Sequence, residues 1–498
     1  MVAARPDPQA AVRVLTPEGD PIPGVEVLWT PSEGAGSATP STTSDGDGVA
    51  VAEWTLGEQA GTQRISAGLA NGAEVTIEAT AAPGVVSVLE GPERVLVEVG
   101  MATPAPIRLL DAFGNEVPPS RATWSTASTD VASVDGAGVV SGVVVGLTEL
   151  HVDVDGRRAV VPLEVRPIFR LTQIAAGLTH ACGLADGGAA YCWGRSRDGA
   201  LGNGSSEPVD GAVRVLSEVP FSSLSLGDAK SCAVAVSGRG YCWGWKGHSL
   251  LGDSVFAGDA LVPEPIALDV PLRALEASLH HGQCAVTIEG DAYCWGHNDT
   301  GQIGQGFESS TVFTPRRLSV DGPVRGVALS PFHGCAVLES GSTWCWGSAG
   351  RLGANEDLGV TYPPIQVAGT QEFGGLVRGF DGTCGLTADS RAFCWGGGAW
   401  EGIEPRVDFP RIPTEVANFR FRRLASARNR MCGILLAGEA GCWDGASSEM
   451  APFVVPGVTQ FSMGWFLACA LDSDGAPYCW GGDFPPTPTR VYARIPPE

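Results

Sequence analysis

Apolar positions in this chain occur as short runs of Val, Ile, Leu and Trp, interrupted by Gly, Pro, Asp and Ser. Segments such as "VEVLW" (25–29) and "LHVDV" (150–154) alternate apolar and polar residues. Such alternation is the pattern of a half-buried strand, and the long periodic segments of amphipathic helices are missing. The pattern therefore predicts an all-β chain with frequent turns.

One phrase recurs seven times after residue 181, and it contains all 14 cysteines in pairs that are ten residues apart. The second cysteine of each pair is followed by Trp, and successive pairs begin 48 to 52 residues apart, except for the last interval of 37. A period of about 50 residues is typical of propeller blades. The pairs are Cys182 with Cys192, Cys232 with Cys242, Cys284 with Cys294, Cys335 with Cys345, Cys384 with Cys394, Cys432 with Cys442, and Cys469 with Cys479.

Turn residues such as "ADGG" and "IEGD" lie between the two cysteines, with small apolar residues on either side. This arrangement predicts a β-hairpin in which residues ten apart face each other, close to disulfide distance. Buried free thiols and a zinc site are the alternatives, although no C-x-x-C motif occurs. Lasting disulfides need an oxidising compartment, so we expect a secreted, periplasmic or cell-surface protein.

The phrase "IAAGLTHACGLADGGAAYCWGRSRDGALGNG" (174–204) resembles the regulator of chromosome condensation (alpha-tubulin suppressor-like) repeat, in its cysteine-bearing bacterial form. This resemblance implies a seven-bladed β-propeller over residues 168–498, with one hairpin disulfide per blade. The segment "FRLTQIAAG" (169–177) begins this region and "PTPTRVYARI" (486–495) ends it. We expect these two segments to share a blade and so to close the ring.

Residues 1–167 contain no cysteine. "GDPIPGVEVLW" (19–29) resembles a group 1 bacterial immunoglobulin-like domain, and "ATWSTASTDVASVDGAGVVSGVVVGLTELHV" (122–152) resembles group 2. We therefore predict two β-sandwiches, at 1–83 and 84–167, with Trp29, Trp54 and Trp124 in their cores. The first family strand lies upstream of the matching segment, so we expect that the natural chain starts earlier, with a signal peptide or surface tether.

The formal net charge of −23 disfavours binding to nucleic acid or anionic lipid. No apolar run approaches the ~18–20 residues of a membrane helix. "SDGDG" (44–48) faintly resembles a calcium loop, but a hairpin turn is the better interpretation because the EF-hand pattern is not met. We therefore predict no metal and no cofactor.

Candidate binding residues lie in the loops that precede the first cysteine of each pair, which should gather on one rim of the propeller. These loops vary more than the strands around them, as is usual where propellers bind ligands. An ordinary solvated or capping role is the alternative for each residue, and His180 and His333 match a family histidine that is more often structural. The candidates are Asp228, Lys230, His280, His281, Phe332, His333, Asp381, Arg428, Arg430, Trp465 and Phe466.

No nucleophile elbow, H-E-x-x-H motif or phosphate-binding loop occurs, so we predict that the protein is not an enzyme. The leading hypothesis is an exported binding protein, in which immunoglobulin-like modules present the propeller to a protein or glycan. One alternative is a propeller-type inhibitor of a secreted hydrolase. The other, by family analogy, is a regulator that exchanges nucleotide on a small GTPase and binds chromatin. The disulfides argue against a cytosolic GTPase partner, and the negative charge argues against chromatin.

Overall fold

Two compact units, Met1–Ile168 and Phe169–Glu498, make up the computed structural model. Both consist of β-strands, and the described residues contain no helix beyond two 3₁₀ turns, Pro119–Arg121 and Asp186–Gly188. Within that part of the chain no helix is long and apolar enough to cross a membrane. The all-β prediction is confirmed. The structure describes residues 9–195, 198–255, 258–278, 281–348, 350–354, 361–379, 382–396, 411–416, 419–427, 430–443, 450–452, 455, 457–464, 466–481 and 486–493.

The first half of the N-terminal unit has seven strands: β1 (Gln9–Arg13), β2 (Glu26–Pro31), β3 (Ser37–Ala38), β4 (Ser41–Thr43), β5 (Val49–Thr55), β6 (Gly61–Gly68) and β7 (Glu74–Ala81). They form two sheets, ordered β1-β5-β3 and β4-β2-β6-β7. Alternate side chains of these strands face a shared core, in which Trp29, Trp54 and Ile65 are buried. The predicted core positions of Trp29 and Trp54 are confirmed.

The second half has nine strands: β8 (Val86–Glu90), β9 (Val95–Glu98), β10 (Ala102–Pro104), β11 (Arg108–Asp111), β12 (Thr123–Thr126), β13 (Ala132–Val134), β14 (Val139–Gly142), β15 (Gly146–Val154) and β16 (Arg157–Arg166). The largest sheet is ordered β12-β15-β16-β9, and the β16–β9 pair is parallel. Trp124 is buried in the core as predicted, and its indole N–H donates to the Pro119 carbonyl at 2.9 Å.

Aspartate side chains complete several tight turns of the sandwiches. Asp45 Oδ1 accepts hydrogen bonds from the backbone N–H groups of Asp47 and Val49, both at 2.9 Å. Asp135 plays the same part in the turn between β13 and β14. The segment 44–48 is therefore a turn stabilised by its own carboxylate. This turn does not join two paired strands, as the predicted hairpin would, because β4 and β5 belong to different sheets.

The C-terminal unit contains seven four-stranded antiparallel sheets, each with its strands in chain order. This arrangement is the seven-bladed propeller that the repeat predicted. The blades are, in order, β17–β20 (Gln173–Ala176, His180–Leu184, Ala190–Gly194, Val209–Arg214), β21–β24 (Phe221–Leu226, Lys230–Ala235, Gly240–Gly244, Ala260–Pro265), β25–β28 (Leu272–Ala277, Gly282–Thr287, Ala292–Asn298, Ser309–Arg317), β29–β32 (Val324–Leu329, His333–Leu338, Thr343–Gly347, Thr361–Gln366), β33–β36 (Phe373–Arg378, Gly382–Thr387, Ala392–Gly396, Thr414–Glu415), β37–β40 (Phe421–Ala427, Arg430–Leu435, Ala440–Trp443, Met450–Pro452) and β41–β44 (Gln460–Met463, Ala468–Leu471, Pro477–Trp480, Thr489–Arg490).

Each blade has one disulfide between its second and third strands, and the two cysteines are direct partners in the strand register. Their Cα atoms are 4.0–4.1 Å apart in all seven blades. The predicted hairpin disulfides are confirmed, because a fixed turn length brings residues ten apart into opposition. The bonds join Cys182 to Cys192, Cys232 to Cys242, Cys284 to Cys294, Cys335 to Cys345, Cys384 to Cys394, Cys432 to Cys442, and Cys469 to Cys479.

The tryptophan that follows the second cysteine connects its blade to the preceding one. The indole N–H of Trp243 donates to the Ala200 carbonyl at 2.9 Å, and that of Trp346 donates to the Gln302 carbonyl at 2.7 Å. Both carbonyls belong to the "GALG" and "GQIG" segments that follow the third strand of the blade before. In these two blades the Trp and the glycine segment of the preceding blade are therefore two halves of one contact.

Ring closure differs from the expectation that the two ends of the propeller share a blade. The final strand β44 pairs with β43, whereas β17 is the first strand of the first blade. The ends meet by contacts between blades, through a 2.8 Å hydrogen bond from Leu171 N to Gly475 O and a bridge between Ala212 and Ala493. No strand needs to be exchanged, because the last blade already has four of its own.

Candidate binding surface at the upper end of the propeller

In each blade the turn between the first two strands and the loop between the last two lie at the same end, because neighbouring strands are antiparallel. We call it the upper end. Hydrogen bonds join these connections within a blade, as from Trp245 N to Ala229 O at 2.9 Å. They also join neighbouring blades, as from Leu178 N to Gly227 O at 3.1 Å. The turns that contain the candidate residues therefore form a ring at this end.

Two of the candidates, Lys230 and His333, are 1% and 0% exposed, which corrects their assignment to an exposed rim. Each is the first residue of a second strand and points into the contact with the next blade. His333 Nε2 lies 2.9 Å from Thr383 Oγ1, and Lys230 Nζ donates to Gly282 O at 3.3 Å. His180 is equally buried in the first blade. The family histidine is thus structural here.

Burial controls the protonation of these groups. It lowers the pKa of His180 to about 4, although a hydrogen bond with the backbone of Asp228 partly opposes it. Burial, with the charge of Arg351 nearby, lowers the pKa of His333 to about 3. Burial and the Arg378 charge also hold the pKa of the Lys230 ammonium well below its usual range. Both imidazoles are therefore neutral at physiological pH.

Arg378, at the end of β33 in the fifth blade, reaches across the ring and was missed by the sequence analysis. Its guanidinium donates to the carbonyls of Leu226 and Ala277, the last residues of the first strands in blades two and three. Burial lowers the Arg378 pKa, while the Glu276 carboxylate opposes that effect. Burial raises the pKa of Glu276, which also accepts a hydrogen bond from Ser225 Oγ at 3.1 Å.

Four half-buried rings form what we call the aromatic patch: Trp245, His248, His281 and His297. The His281 ring lies 4.3 Å from that of Trp245, and the His248 ring lies 4.6 Å from that of His297, both between centroids. Trp245 and His248 come from the loop after β23 in blade two, and the other two come from blade three. Only His281 was among the sequence candidates.

Hydrogen bonds fix the polar side of the aromatic patch. His248 Nδ1 lies 2.7 Å from Thr311 Oγ1. Gln302 Nε2 donates to His297 Nδ1 at 2.9 Å and to Asp299 Oδ1 at 3.2 Å. Gln302 therefore orients both the His297 ring and the Asp299 carboxylate. The patch therefore presents oriented donors and acceptors beside an indole ring.

The remaining candidates are spread around the upper end. Phe332 is half-buried beneath the Arg351 guanidinium, 5.1 Å from the ring centroid, and Asp228 is half-buried in the second blade. Phe466 is 52% exposed in the seventh blade. Arg430 begins β38. Four candidates lie outside the described residues: His280, Asp381, Arg428 and Trp465.

The part of the chain that the structure describes contains no group of three or more His, Cys, Asp or Glu residues that could hold a metal ion. The imidazoles of the aromatic patch contact one another by their rings. Their arrangement suits stacking and hydrogen bonding with a ligand.

Comparisons with known proteins identify the repeat. Two family models, both described as regulator of chromosome condensation (RCC1) repeat, match residues 171–200 and 289–337. The propeller is therefore built from RCC1-type repeats.

Two plant proteins are among the relatives of the chain. It is similar to the Ultraviolet-B receptor UVR8 of Arabidopsis thaliana, with 26% identity over 63% of this chain and 66% of the receptor. It is also similar to the mitochondrial RCC1 domain-containing protein RUG3 of the same plant, with 26% identity over 58% of this chain and 67% of that protein. The aligned region thus spans about two thirds of the length of both relatives.

Among solved structures, Prp20p of Saccharomyces cerevisiae is matched over 59% of this chain and 81% of that chain, with 19% identity and a TM-score of 0.47.

Proposed function

We propose that this chain is a non-enzymatic, extracytoplasmic binding protein whose propeller recognises a protein or glycan through its upper end. The two N-terminal sandwiches, which we interpret as bacterial immunoglobulin-like modules, present the propeller to its ligand. The observation that carries this proposal is the combination of seven buried hairpin disulfides with an upper end that differs from blade to blade.

The disulfides support the compartment. A thiol pair in the reducing cytoplasm would remain open, whereas all 14 cysteines here are paired and at most 6% exposed. Closure of such short loops contributes up to ~2–3 kcal/mol each in the chain-entropy model. A fold with one such bond in every blade is suited to an oxidising compartment outside the cytoplasm.

The distribution of constant and variable residues supports recognition. Cysteines, the tryptophans after them and the glycine segments hold the blades together and recur around the ring. The turns and loops at the upper end carry different side chains in each blade, including the exposed Phe466 and the aromatic patch. A rigid scaffold with variable loops at one end is the usual arrangement for binding.

Thiol labelling tests the compartment. The protein is isolated from its native cells under acid quench and alkylated with and without reductant, and mass spectrometry counts the labelled cysteines. We expect labels on the 14 cysteines only after reduction. Labelling of most cysteines without reductant would contradict an extracytoplasmic location.

A binding screen tests the recognising end. The full chain is immobilised and exposed to secreted proteins and to polysaccharide fragments. A double variant, Trp245→Ser with Phe466→Ser, alters the upper end. The matched control, Val236→Ser with Ile288→Ser, removes apolar residues that are 67% and 58% exposed in turns at the opposite end. We expect only the first variant to lose the ligand, and equal loss in both, or in neither, contradicts the proposal.

A further inference from the structure

We propose that the aromatic patch is a carbohydrate-binding site in which a sugar ring stacks on Trp245. This inference rests on the proposed function and names its ligand class and its location. The patch consists of Trp245, His248, His281 and His297, together with the polar groups that hold them.

The indole ring of Trp245 is held in place before any ligand arrives. Its centroid lies 4.3 Å from that of His281 and 5.7 Å from that of His248. The ring also lies close to the backbone at Gly247, where an added Cβ atom would be 2.0 Å from the nearest ring carbon. Glycine is therefore required for this position of the ring. An aromatic platform that is already ordered loses little conformational freedom when a ligand stacks on it.

Polar groups with fixed orientation lie next to the rings of the patch along the chain. Asp299, whose side chain is 56% exposed, and the His297 imidazole are held together by Gln302. Lys246 Nζ forms a 2.7 Å ion pair with Glu264 on the other side of the same loop. A sugar has an apolar C–H face and a rim of hydroxyl groups, so it matches an aromatic ring flanked by donors and acceptors.

The same features favour a sugar over a protein partner. A protein interface needs a broad apolar centre of several hundred square ångströms, with exposed anchors. The patch instead has half-buried rings among charged and polar side chains that already have partners. Small polar ligands bind through a few groups placed in this way.

Backbone strain gives an independent indication of a ligand site. His248, Ser249 and His281 have positive φ angles of 50°, 58° and 64°, although none of them is glycine. Ser249 is held by a 2.6 Å hydrogen bond from its hydroxyl to Phe313 O. Such conformations persist only where the surrounding structure enforces them, and they cluster at ligand sites.

The test uses the full chain on a printed array of neutral and acidic oligosaccharides, followed by calorimetry with the fragment that gives the strongest signal. The variants are Trp245→Ala, Trp245→Phe and His281→Asn, since asparagine tolerates a positive φ. The control is Trp344→Tyr, because tyrosine occupies that position in four other blades. We expect Trp245→Ala to weaken binding at least about tenfold, Trp245→Phe to retain part of it, and the control to match the wild type.

The outcomes separate this inference from the proposed function. A fragment that binds wild type and Trp245→Ala equally would overturn the site but leave recognition by the propeller standing. A blank array would overturn the carbohydrate assignment. The proposed function itself fails if no secreted protein or saccharide binds, or if the upper-end variant and its control bind alike in the screen.

Discussion

Replacement of His180 and His333 by glutamine should flatten the pH dependence of propeller stability below pH 6.5. Both rings are fully buried and lie 2.9 Å from a hydroxyl group in the next blade, Ser231 Oγ and Thr383 Oγ1 respectively. Glutamine can donate to the same hydroxyls but does not titrate. The double variant therefore removes the proton linkage and keeps a contact between the blades.

The sign and size of the effect follow from the folded-state pKa values. Burial holds the pKa of His180 at about 4, and burial with the Arg351 charge holds that of His333 at about 3, whereas the unfolded value is 6.5. Between these values the unfolded state binds more protons, so stability falls as the pH falls. The loss reaches about 1.4 kcal/mol per pH unit for each ring, and about 5–6 kcal/mol for both between pH 6.5 and 4.

Guanidinium unfolding, followed by tryptophan fluorescence without reductant from pH 7.5 to 4, measures this loss. The difference between wild type and the double variant isolates the two histidines from the many carboxylates, which titrate in both proteins. His151→Gln, in the N-terminal unit, controls for the loss of a histidine. Parallel stability curves for wild type and the double variant would refute the reasoning.

Three further changes test other contacts by the same unfolding measurement or by spectroscopy. Arg378→Met should lower the free energy of unfolding by about 2–4 kcal/mol. The Glu276 carboxyl, whose pKa is already raised, loses its neighbouring cation, and the carbonyls of Leu226 and Ala277 lose their donor. An unchanged free energy of unfolding would contradict this role of Arg378. Trp243→Phe should cost about 0.5–1.5 kcal/mol, because the buried Ala200 carbonyl loses its indole donor but keeps the Ser231 hydroxyl, and a neutral result would argue against the blade contact. Gly247→Ala should displace the nearby indole ring and change the near-ultraviolet circular dichroism without loss of the fold, since its Cβ atom would lie 2.0 Å from that ring.

The cysteine phrase predicted the hairpin disulfides correctly because their geometry is local. A hairpin is defined by its turn, and the ten-residue interval places Cys182 opposite Cys192 whatever the rest of the chain does. The buried positions of Trp29 and Trp54 followed similarly from strand alternation. Ring closure is not local, and the expectation that residues 169–177 and 486–495 share a blade was therefore wrong.

The candidate surface was harder to predict, because burial at the upper end depends on the neighbouring blade. Lys230 lies in a turn sequence that looks exposed, but the next blade covers it. Trp245 and His281 are 36 residues apart, and their rings meet only when blades two and three are adjacent. The segment "GWKGHS" (244–249) carried the available signal, since it places a Trp directly after Cys-Trp-Gly, where His297 is the one other aromatic side chain among the blades.

Arg378 connects the scaffold to the proposed site. Most contacts of the propeller join one blade to the next, so a change in one blade should affect mainly its neighbours. Arg378 instead reaches from blade five to the carbonyls of Leu226 and Ala277 in blades two and three. The strands that end at these two residues continue into the turns that contain Asp228 and His281. Those turns support Trp245 through its hydrogen bond to Ala229 O and its contact with His281. Loss of the guanidinium should therefore weaken ligand binding at the aromatic patch as well as the fold, although Arg378 is not part of that patch.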